Sequence, residues 1–336
     1  MNTKTYLTFL GVFGALLFVS QNSTAATIYD NSATALNINM LTDTFVSYTH
    51  RGEKMSDLFS KKSMYGKMTR FDEYGDDGST LEIFTTTDSD HDPMWGNVWV
   101  NAEHINGDLH YDKATKHGRF YLATAGASTK SFDINYGNIY IGGFGGYIHS
   151  HTANINSNGD VVGIFAHYNF RNLGATVLTD IGALNNDSEH GAFNNSWFNT
   201  AAELSAKFNI DTSFIVKPML YVAYTFVSSD DLYVNNEVVT SKDFNFLNIV
   251  PTLQFIKEIS PNWYGTLSAK YVAHFGSDRD IIVGNVKQDG IEIDDYTEIG
   301  IDVEHNFKQF VFGGNVHKQI GGFDGISCGL NMKYSF

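Results

Sequence analysis

The side chains that could take part in catalysis or metal binding in this sequence are those of histidine, serine, asparagine and the acidic residues. The chain has 12 histidines, and His149 and His151 are separated by a single residue. The segment 151–159 also contains Ser157 and several asparagines, which are the residue types of a Ser–His–Asn hydrolase. Nucleophilic catalysis needs the nucleophile within hydrogen-bond reach of its base. Nothing in this segment indicates that geometry, so loop histidines on a polar surface are the simpler interpretation.

Metal binding and acidic proteolysis are the other chemistries that these residue types suggest. A metal site needs convergent ligands with supporting hydrogen bonds, and His149 and His151 offer only an i, i+2 spacing. The acidic groups Asp230–Asp231 and Asp278–Asp280 are typical of charge on solvated loops. No zinc motif and no phosphate-binding glycine loop is present in the sequence. We therefore assign no catalytic residue, metal ligand or cofactor, and we expect that the protein is not an enzyme.

The end of the chain predicts the kind of element that holds these residues. From residue 326 to residue 336, apolar and polar residues alternate strictly, which predicts a strand with one apolar and one polar face. The last strand of a lipid-embedded barrel needs an apolar outer face, a polar inner face and an aromatic residue at the interface. We therefore interpret four residues as the signal for insertion into the outer membrane: Leu330, Met332, Tyr334 and Phe336.

The same alternation recurs along the chain and predicts twelve strands, an even number as in single-chain bacterial barrels. Their predicted bounds are 94–102, 118–126, 137–149, 161–170, 173–183, 197–208, 213–226, 243–257, 262–274, 294–305, 308–318 and 325–336. Short turns alternate with long polar loops, predicted at 103–117, 150–160, 184–196, 227–242 and 275–293. Pro218 and Pro251 fall inside neighbouring strands, where proline cannot donate to the ladder. Bulges at both positions would absorb them.

One predicted strand indicates what the inside of the barrel is like. Glu298, Asp302 and Glu304 lie on the face opposite to Ile299, Ile301 and Val303. Three carboxylates cannot point into a dry core without partners, because burying unpaired charge is costly. We therefore expect Glu298, Asp302 and Glu304 to line a water-filled lumen.

The beginning of the chain predicts export. Lys4, the apolar run 7–20 and a polar tail of small residues have the layout of a secretory signal peptide, residues 1–25, with cleavage at Ala25. Cys328 is the only cysteine, so no internal disulfide can form. No later apolar stretch is long enough for a membrane-spanning helix. The formal net charge of -15 argues against a nucleic-acid partner.

A helical pattern precedes the first predicted strand, within an N-terminal segment 26–93 that ends in a polar linker. Its apolar residues are spaced three and four apart, which predicts a helix over about 36–60. This stripe consists of Ile38, Leu41, Phe45, Tyr48, Gly52, Met55 and Phe59. Two placements are open: an amphipathic helix lying on a surface in the periplasm, or a helix inside the pore with its polar faces toward the charged lumen.

The order of these features resembles the translocator domain of autotransporters, the type V secretion proteins. The most specific local segment is Tyr136–Ser150, which is similar to the glycine-rich third strand of that family, and Trp95–Gly96 and the Tyr334–Phe336 ending fit the same pattern. The resemblance implies an all-β, twelve-stranded antiparallel transmembrane barrel over residues 94–336, with the N-terminal α-helix inside the pore. It also implies location in the bacterial outer membrane, contact with lipid and lipopolysaccharide, and assembly by the barrel-assembly machinery.

In this family the barrel supports the passage of an upstream passenger to the cell surface. Only about ten residues would lie between the signal cleavage site and the helix, so we expect little or no passenger in this chain itself. A separately encoded passenger is one explanation. The alternative is a non-secretory outer-membrane pore, or an adhesin barrel that acts through its surface loops.

Overall fold

The computed structural model describes most of the chain from residue 95 to residue 336. The described residues are 95–111, 114–134, 137–152, 155–188, 191–229, 232–234, 237–241, 244–276, 281–283, 286–288 and 294–336. Within these ranges every regular element is a β-strand. No helix among them is long and apolar enough to cross a membrane. The predicted helix 36–60 and the signal peptide lie outside the described residues.

Eighteen strands are present in the described part of the chain. They are β1 (Trp95–Tyr111), β2 (Ala114–Thr129), β3 (Phe132–Ile134), β4 (Gly137–Thr152), β5 (Ile155–Phe170), β6 (Leu173–Ser188), β7 (Gly191–Ala206), β8 (Phe208–Asn209), β9 (Phe214–Ser229), β10 (Leu232–Val234), β11 (Glu237–Ser241), β12 (Phe244–Ser260), β13 (Trp263–Gly276), β14 (Ile281–Val283), β15 (Val286–Gln288), β16 (Tyr296–Phe307), β17 (Phe310–Gly321) and β18 (Phe323–Ser335).

Twelve of these strands close into an antiparallel barrel, which confirms the predicted fold class. The order around the wall is β1, β2, β4, β5, β6, β7, β9, β12, β13, β16, β17 and β18. Strand β18 then pairs with β1 from Asn97 opposite Ser335 to Leu109 opposite Phe323, so the wall has no free edge. Closure gives every wall strand a pairing partner on both sides, which is how a barrel provides backbone hydrogen bonds without water in a membrane.

The wall has an apolar outer face and a more polar inner face because side chains alternate along each strand. On the outer face large apolar side chains are exposed, such as Ile164 at 62%, Leu204 at 63% and Leu330 at 73%. On the inner face their neighbours are buried, and many of them are polar, such as Asn101, Thr124 and Asn199. A surface this apolar around the whole barrel suits lipid and not water.

The wall strands extend further than predicted at one end of the barrel. Strand β1 runs to Tyr111 and β2 begins at Ala114, so most of the predicted loop 103–117 is paired hairpin. The predicted loops 150–160 and 184–196 are likewise mostly strand. These segments were predicted as loops because they are polar, but in the structure their backbones pair continuously across each hairpin. At the opposite end the turns are tight, with Arg171, Asn262 and Lys308 at positive φ values of 54, 66 and 56°.

The two prolines sit without bulges, contrary to expectation. The ladder between β9 and β12 is continuous past Pro218 and Pro251. On the other side of each strand the pairing is interrupted: β9 pairs through Met219 and again from Val216, and β12 through Ile249 and again from Thr252. Each proline therefore lies in a gap of one ladder. Proline has no N–H to donate there, and the ladder on the other side of the strand is uninterrupted.

Two hairpins project beyond the wall at the end opposite to the tight turns. Strands β10 and β11 form one, β14 and β15 the other, and they join into a four-stranded sheet through β11 and β14. The connection 130–136, at the end with the tight turns, contains the short strand β3 paired with the start of β4. This extra strand explains why the connection is longer than an ordinary turn.

Candidate functional site

The inner face of β13, β16, β17 and β18 carries a buried charged network centred on Glu298. One carboxylate oxygen of Glu298 lies 3.0 Å from Lys270 Nζ and 2.8 Å from His317 Nδ1. The other accepts a hydrogen bond of 2.7 Å from Gln319 Nε2. Gln319 in turn contacts Ser327 Oγ at 3.3 Å. The network links four consecutive strands of the wall, so it ties the last third of the barrel together on its inner side.

His317 connects this network to a second carboxylate. Its Nε2 lies 3.4 Å from Asp302 Oδ1, while its Nδ1 faces Glu298. A doubly protonated imidazole ring can therefore donate to both carboxylates at once. With Lys270, the two cations would then balance the two anions, which is the condition for keeping such charges on a partly buried surface.

The three carboxylates predicted to face the lumen lie on one face of β16. Glu298 is 7% exposed, and Asp302 and Glu304 are half-buried. The apolar residues between them, Ile299, Ile301 and Val303, are exposed on the other face. That this inner face lines a water-filled lumen stays a prediction. The partners Lys270 and His317 were missed, because their contact depends on the register between β13, β16 and β17.

A second polar network lies on the inner face of β6, β7 and β9. The carboxylate of Asp180 accepts hydrogen bonds from Trp197 Nε1 at 2.9 Å and Asn199 Nδ2 at 2.7 Å. Thr225 Oγ1 donates to the amide oxygen of Asn199 at 3.1 Å. All four side chains are buried. Their only sequence signal is their place opposite outward-facing residues in each strand, and that signal does not identify partners.

Further polar side chains continue this pattern around the wall. Ser157 Oγ donates to Asn186 Oδ1 at 2.6 Å, and Asn186 Nδ2 donates to Asn195 Oδ1 at 2.5 Å. His167 is buried, with its Nδ1 at 2.7 Å from Thr176 Oγ1. The inner face is therefore hydrogen-bonded on several sides, as buried polar groups require.

The histidines His149 and His151 lie in a different setting from the one that the sequence predicted. No group of three or more metal-ligating side chains is found among the described residues. His149 and His151 lie on strand β4 and not in a loop as predicted, and their side chains point outward. Their Nδ1 atoms lie 2.7 Å from Asn158 Oδ1 and 2.6 Å from Asn156 Oδ1. Ser157 points to the opposite face, which separates it from His151.

The predicted insertion signal lies at the closing seam. Leu330, Met332 and Phe336 are exposed on the outer face, at 73, 40 and 49%. The rings of Tyr334 and Phe336 meet edge to face at 5.0 Å, and Phe310 lies 5.0 Å from Tyr334. These rings form an aromatic group at the end of the barrel with the tight turns, as expected for a membrane interface. Whether they direct insertion stays a prediction.

The predictions for the N-terminal third fall outside the described residues. They are the cleavage site Ala25, the segment 26–93 and the stripe residues Ile38, Leu41, Phe45, Tyr48, Met55 and Phe59.

A closed antiparallel barrel with an apolar outer face and a hydrogen-bonded polar inner face defines the class of outer-membrane β-barrels. Within that class, a model of the autotransporter β-domain matches residues 94–317, and the chain belongs to this family. The protein is thus an autotransporter β-domain, an outer-membrane translocator barrel located in the bacterial outer membrane. Domains of this family are in general not enzymes.

Solved structures of autotransporter domains share this fold at low sequence identity. The β domain of the Bordetella autotransporter BrkA superposes with a TM-score of 0.59 at 15% identity, covering 73% of this chain and 100% of that one. The transport unit of AIDA-I from Escherichia coli has a TM-score of 0.57 at 15% identity, covering 82 and 100%. The translocator domain of NalP from Neisseria meningitidis has 0.56 at 11% identity, covering 73 and 90%. A sequence comparison with curated proteins finds no match.

Proposed function

We propose that this barrel is a translocator whose lumen holds the helix predicted over residues 36–60. The observation that carries the proposal is the polar inner face, with the Glu298 network on one side and the Asp180 network on another. A polypeptide segment inside a barrel needs partners for its polar side chains, because unpaired polar groups are costly away from water. The inner face carries many polar side chains, and the helix predicted over residues 36–60 carries polar residues on the faces away from its apolar stripe.

Conductance in planar bilayers tests the plugging helix. The full chain is expected to conduct weakly, and a chain lacking residues 36–60 several-fold more, because removing the helix opens the lumen. A deletion of equal length in the linker, residues 61–85, serves as the control and should leave conductance low. Equal conductance of the full chain and the 36–60 deletion would contradict the plug.

Surface display tests translocation and the expectation of little or no passenger. We expect a folded reporter inserted after Ala26 to become accessible to antibody on intact cells, as in a barrel that exports what precedes it. Retention of the reporter in the periplasm would favour the non-secretory pore instead. Mass spectrometry of the purified protein would identify any passenger, joined to the barrel or separately encoded.

An adhesin function is the second candidate, because one observation favours it. The two projecting hairpins join into the sheet β10-β11-β14-β15, so the barrel presents an organised surface at the end opposite to the tight turns. The two longest connections between wall strands, from β9 to β12 and from β13 to β16, lie at this end, and longer extracellular connections are the usual arrangement in outer-membrane barrels, so we place this end outside the cell. Loss of cell adhesion on deleting residues 232–241, with the barrel intact, would support this function.

A further inference from the structure

A groove of about 890 Å³ crosses the outer face of the wall at the seam between β18 and β1. Its lining includes the small residues Gly314, Ala102 and Ala123 on β17, β1 and β2, and the exposed side chain of Leu330 on β18 stands in register between Gly314 and Ala102. Larger side chains at the neighbouring positions, such as Val316 and Tyr147, form its walls. The groove is a local depression in the lipid-facing band.

Two of the residues that line the groove, His104 and Tyr121, belong to a row of three stacked rings on the side toward the projecting hairpins. His104, Tyr121 and His149 are in register on β1, β2 and β4. The His104 and Tyr121 rings stack at 4.5 Å between centroids, and the Tyr121 and His149 rings at 6.0 Å. The outward side chains of β1 below this row are Val98, Val100 and Ala102, and those above it are polar. The row therefore marks the boundary between the apolar band and the headgroup region.

Arg119 lies one position above the ring row on the same face, between Asn106 and His151. It is exposed, and no hydrogen bond or ion pair joins its guanidinium to another side chain in the described part of the chain. The nearby carboxylates are already engaged, Asp108 by His117 at 2.8 Å and Asp324 by Lys318. Arg119 is thus a cation available to an external anion.

The histidines beside Arg119 are held by oxygen acceptors. Nδ1 of His104 lies 3.2 Å from the carbonyl oxygen of Phe120, and Nδ1 of His149 lies 2.7 Å from Asn158 Oδ1. Since these oxygens only accept, each Nδ1 carries the hydrogen. The rings are thereby fixed in orientation, and each Nε2 remains to contact a ligand.

We propose that the groove and the ring row bind one lipopolysaccharide molecule of the outer leaflet. An acyl chain lies in the groove, and a phosphate of the headgroup pairs with Arg119 and contacts His149 and His151. Guanidinium and phosphate form bidentate charge-assisted hydrogen bonds, which makes arginine the suitable cation for this role. The inference rests on the proposed orientation of the barrel, with the projecting hairpins outside.

Native mass spectrometry of the purified full-length protein with added lipopolysaccharide tests the site. Wild type is expected to retain one lipid, and Arg119→Gln to weaken binding about tenfold, since one charge-assisted contact is lost. Arg171→Gln removes the corresponding cation at the opposite end of the barrel and should bind as wild type. Ala102→Phe fills the groove and should lose the lipid, whereas Ala202→Phe, on the outer face of β7, should retain it.

Three results would overturn the proposal. One is equal retention by Arg119→Gln, Ala102→Phe and wild type. Another is equal binding of dephosphorylated lipopolysaccharide, which would leave Arg119 without its role. The third is a stable dimer of the wild type that Ala102→Phe disrupts and lipid does not affect, which would make the groove a protein interface. Heat-modifiable migration on gels confirms that each variant is folded.

Orientation is checked separately on intact cells, so that the two inferences fail in different ways. In a Cys328→Ser background, Asn156→Cys should react with an impermeant maleimide, and Ser213→Cys should react only after the outer membrane is opened. The reverse pattern would overturn lipopolysaccharide as the occupant and the proposed orientation together. The expected labelling pattern with no lipid bound would overturn the lipid site alone.

Discussion

At the residue scale, the side chain of Glu298 connects its own strand to two neighbouring strands of the wall. Glu298 is 7% exposed, and its carboxylate contacts the side chains of Lys270, His317 and Gln319. Its position on the inner face could be predicted from the alternation with Ile299. Its partners could not be predicted, because they lie on other strands, and only the register between β13, β16 and β17 brings them together.

We expect Glu298→Gln to destabilise the barrel by roughly 1–3 kcal/mol, since it leaves buried cations without their anion. Urea unfolding of the protein refolded in detergent, followed by tryptophan fluorescence, measures this change. Asp187→Asn is the matched control, because Asp187 is an exposed carboxylate on the outer face of β6; it should change stability by less than about 0.5 kcal/mol. A Glu298 variant as stable as that control would show that the network adds nothing.

At the element scale, the prolines show how a closed ladder accommodates residues that cannot donate. Pro218 lies in the gap of the ladder to β7, and Pro251 in the gap of the ladder to β13. Sequence predicted the conflict and located both residues in strands. It could not predict the solution, because a gap and a bulge differ only in how the partner strand is aligned.

The position of a proline in the ladder should therefore decide its cost. Ala202 pairs without interruption to both Val177 and Val222, so Ala202→Pro should cost about 1–3 kcal/mol through a lost hydrogen bond. Pro218→Ala should stay within roughly 1 kcal/mol of wild type. The midpoints of urea unfolding compare the two variants. Similar effects of both substitutions would show that a gap in the ladder does not make proline less costly.

At the scale of the whole molecule, closure depends on the last strand. Strand β18 pairs with both β17 and β1, so the barrel is not closed until the C-terminal strand is in place. Phe336 directly follows this strand, and its exposed ring lies beside Tyr334. A terminal strand of this kind is the element that we expect the barrel-assembly machinery to bind first.

Phe336→Ser is accordingly expected to lower the amount of folded barrel in the outer membrane several-fold. Lost burial alone cannot account for such an effect, because Phe336 is 49% exposed. The heat-modifiable fraction in isolated outer membranes is the measurement. Phe208→Ser, at a 54% exposed aromatic residue of the same end, is the control and should assemble normally. Equal assembly of the two variants would remove Phe336 from the insertion signal.

The fold class follows from the amino-acid sequence, because period-two alternation is a local property that each strand shows without reference to its neighbours. For the same reason the sequence indicated the faces of Glu298, Asp302 and Glu304 and the tight turns at one end. The contacts between side chains on different strands, the length of the hairpins and the position of the outer groove became visible in the folded barrel. These depend on the register between strands, and register is set by the pairing of all twelve wall strands in a closed ring and not by any one of them.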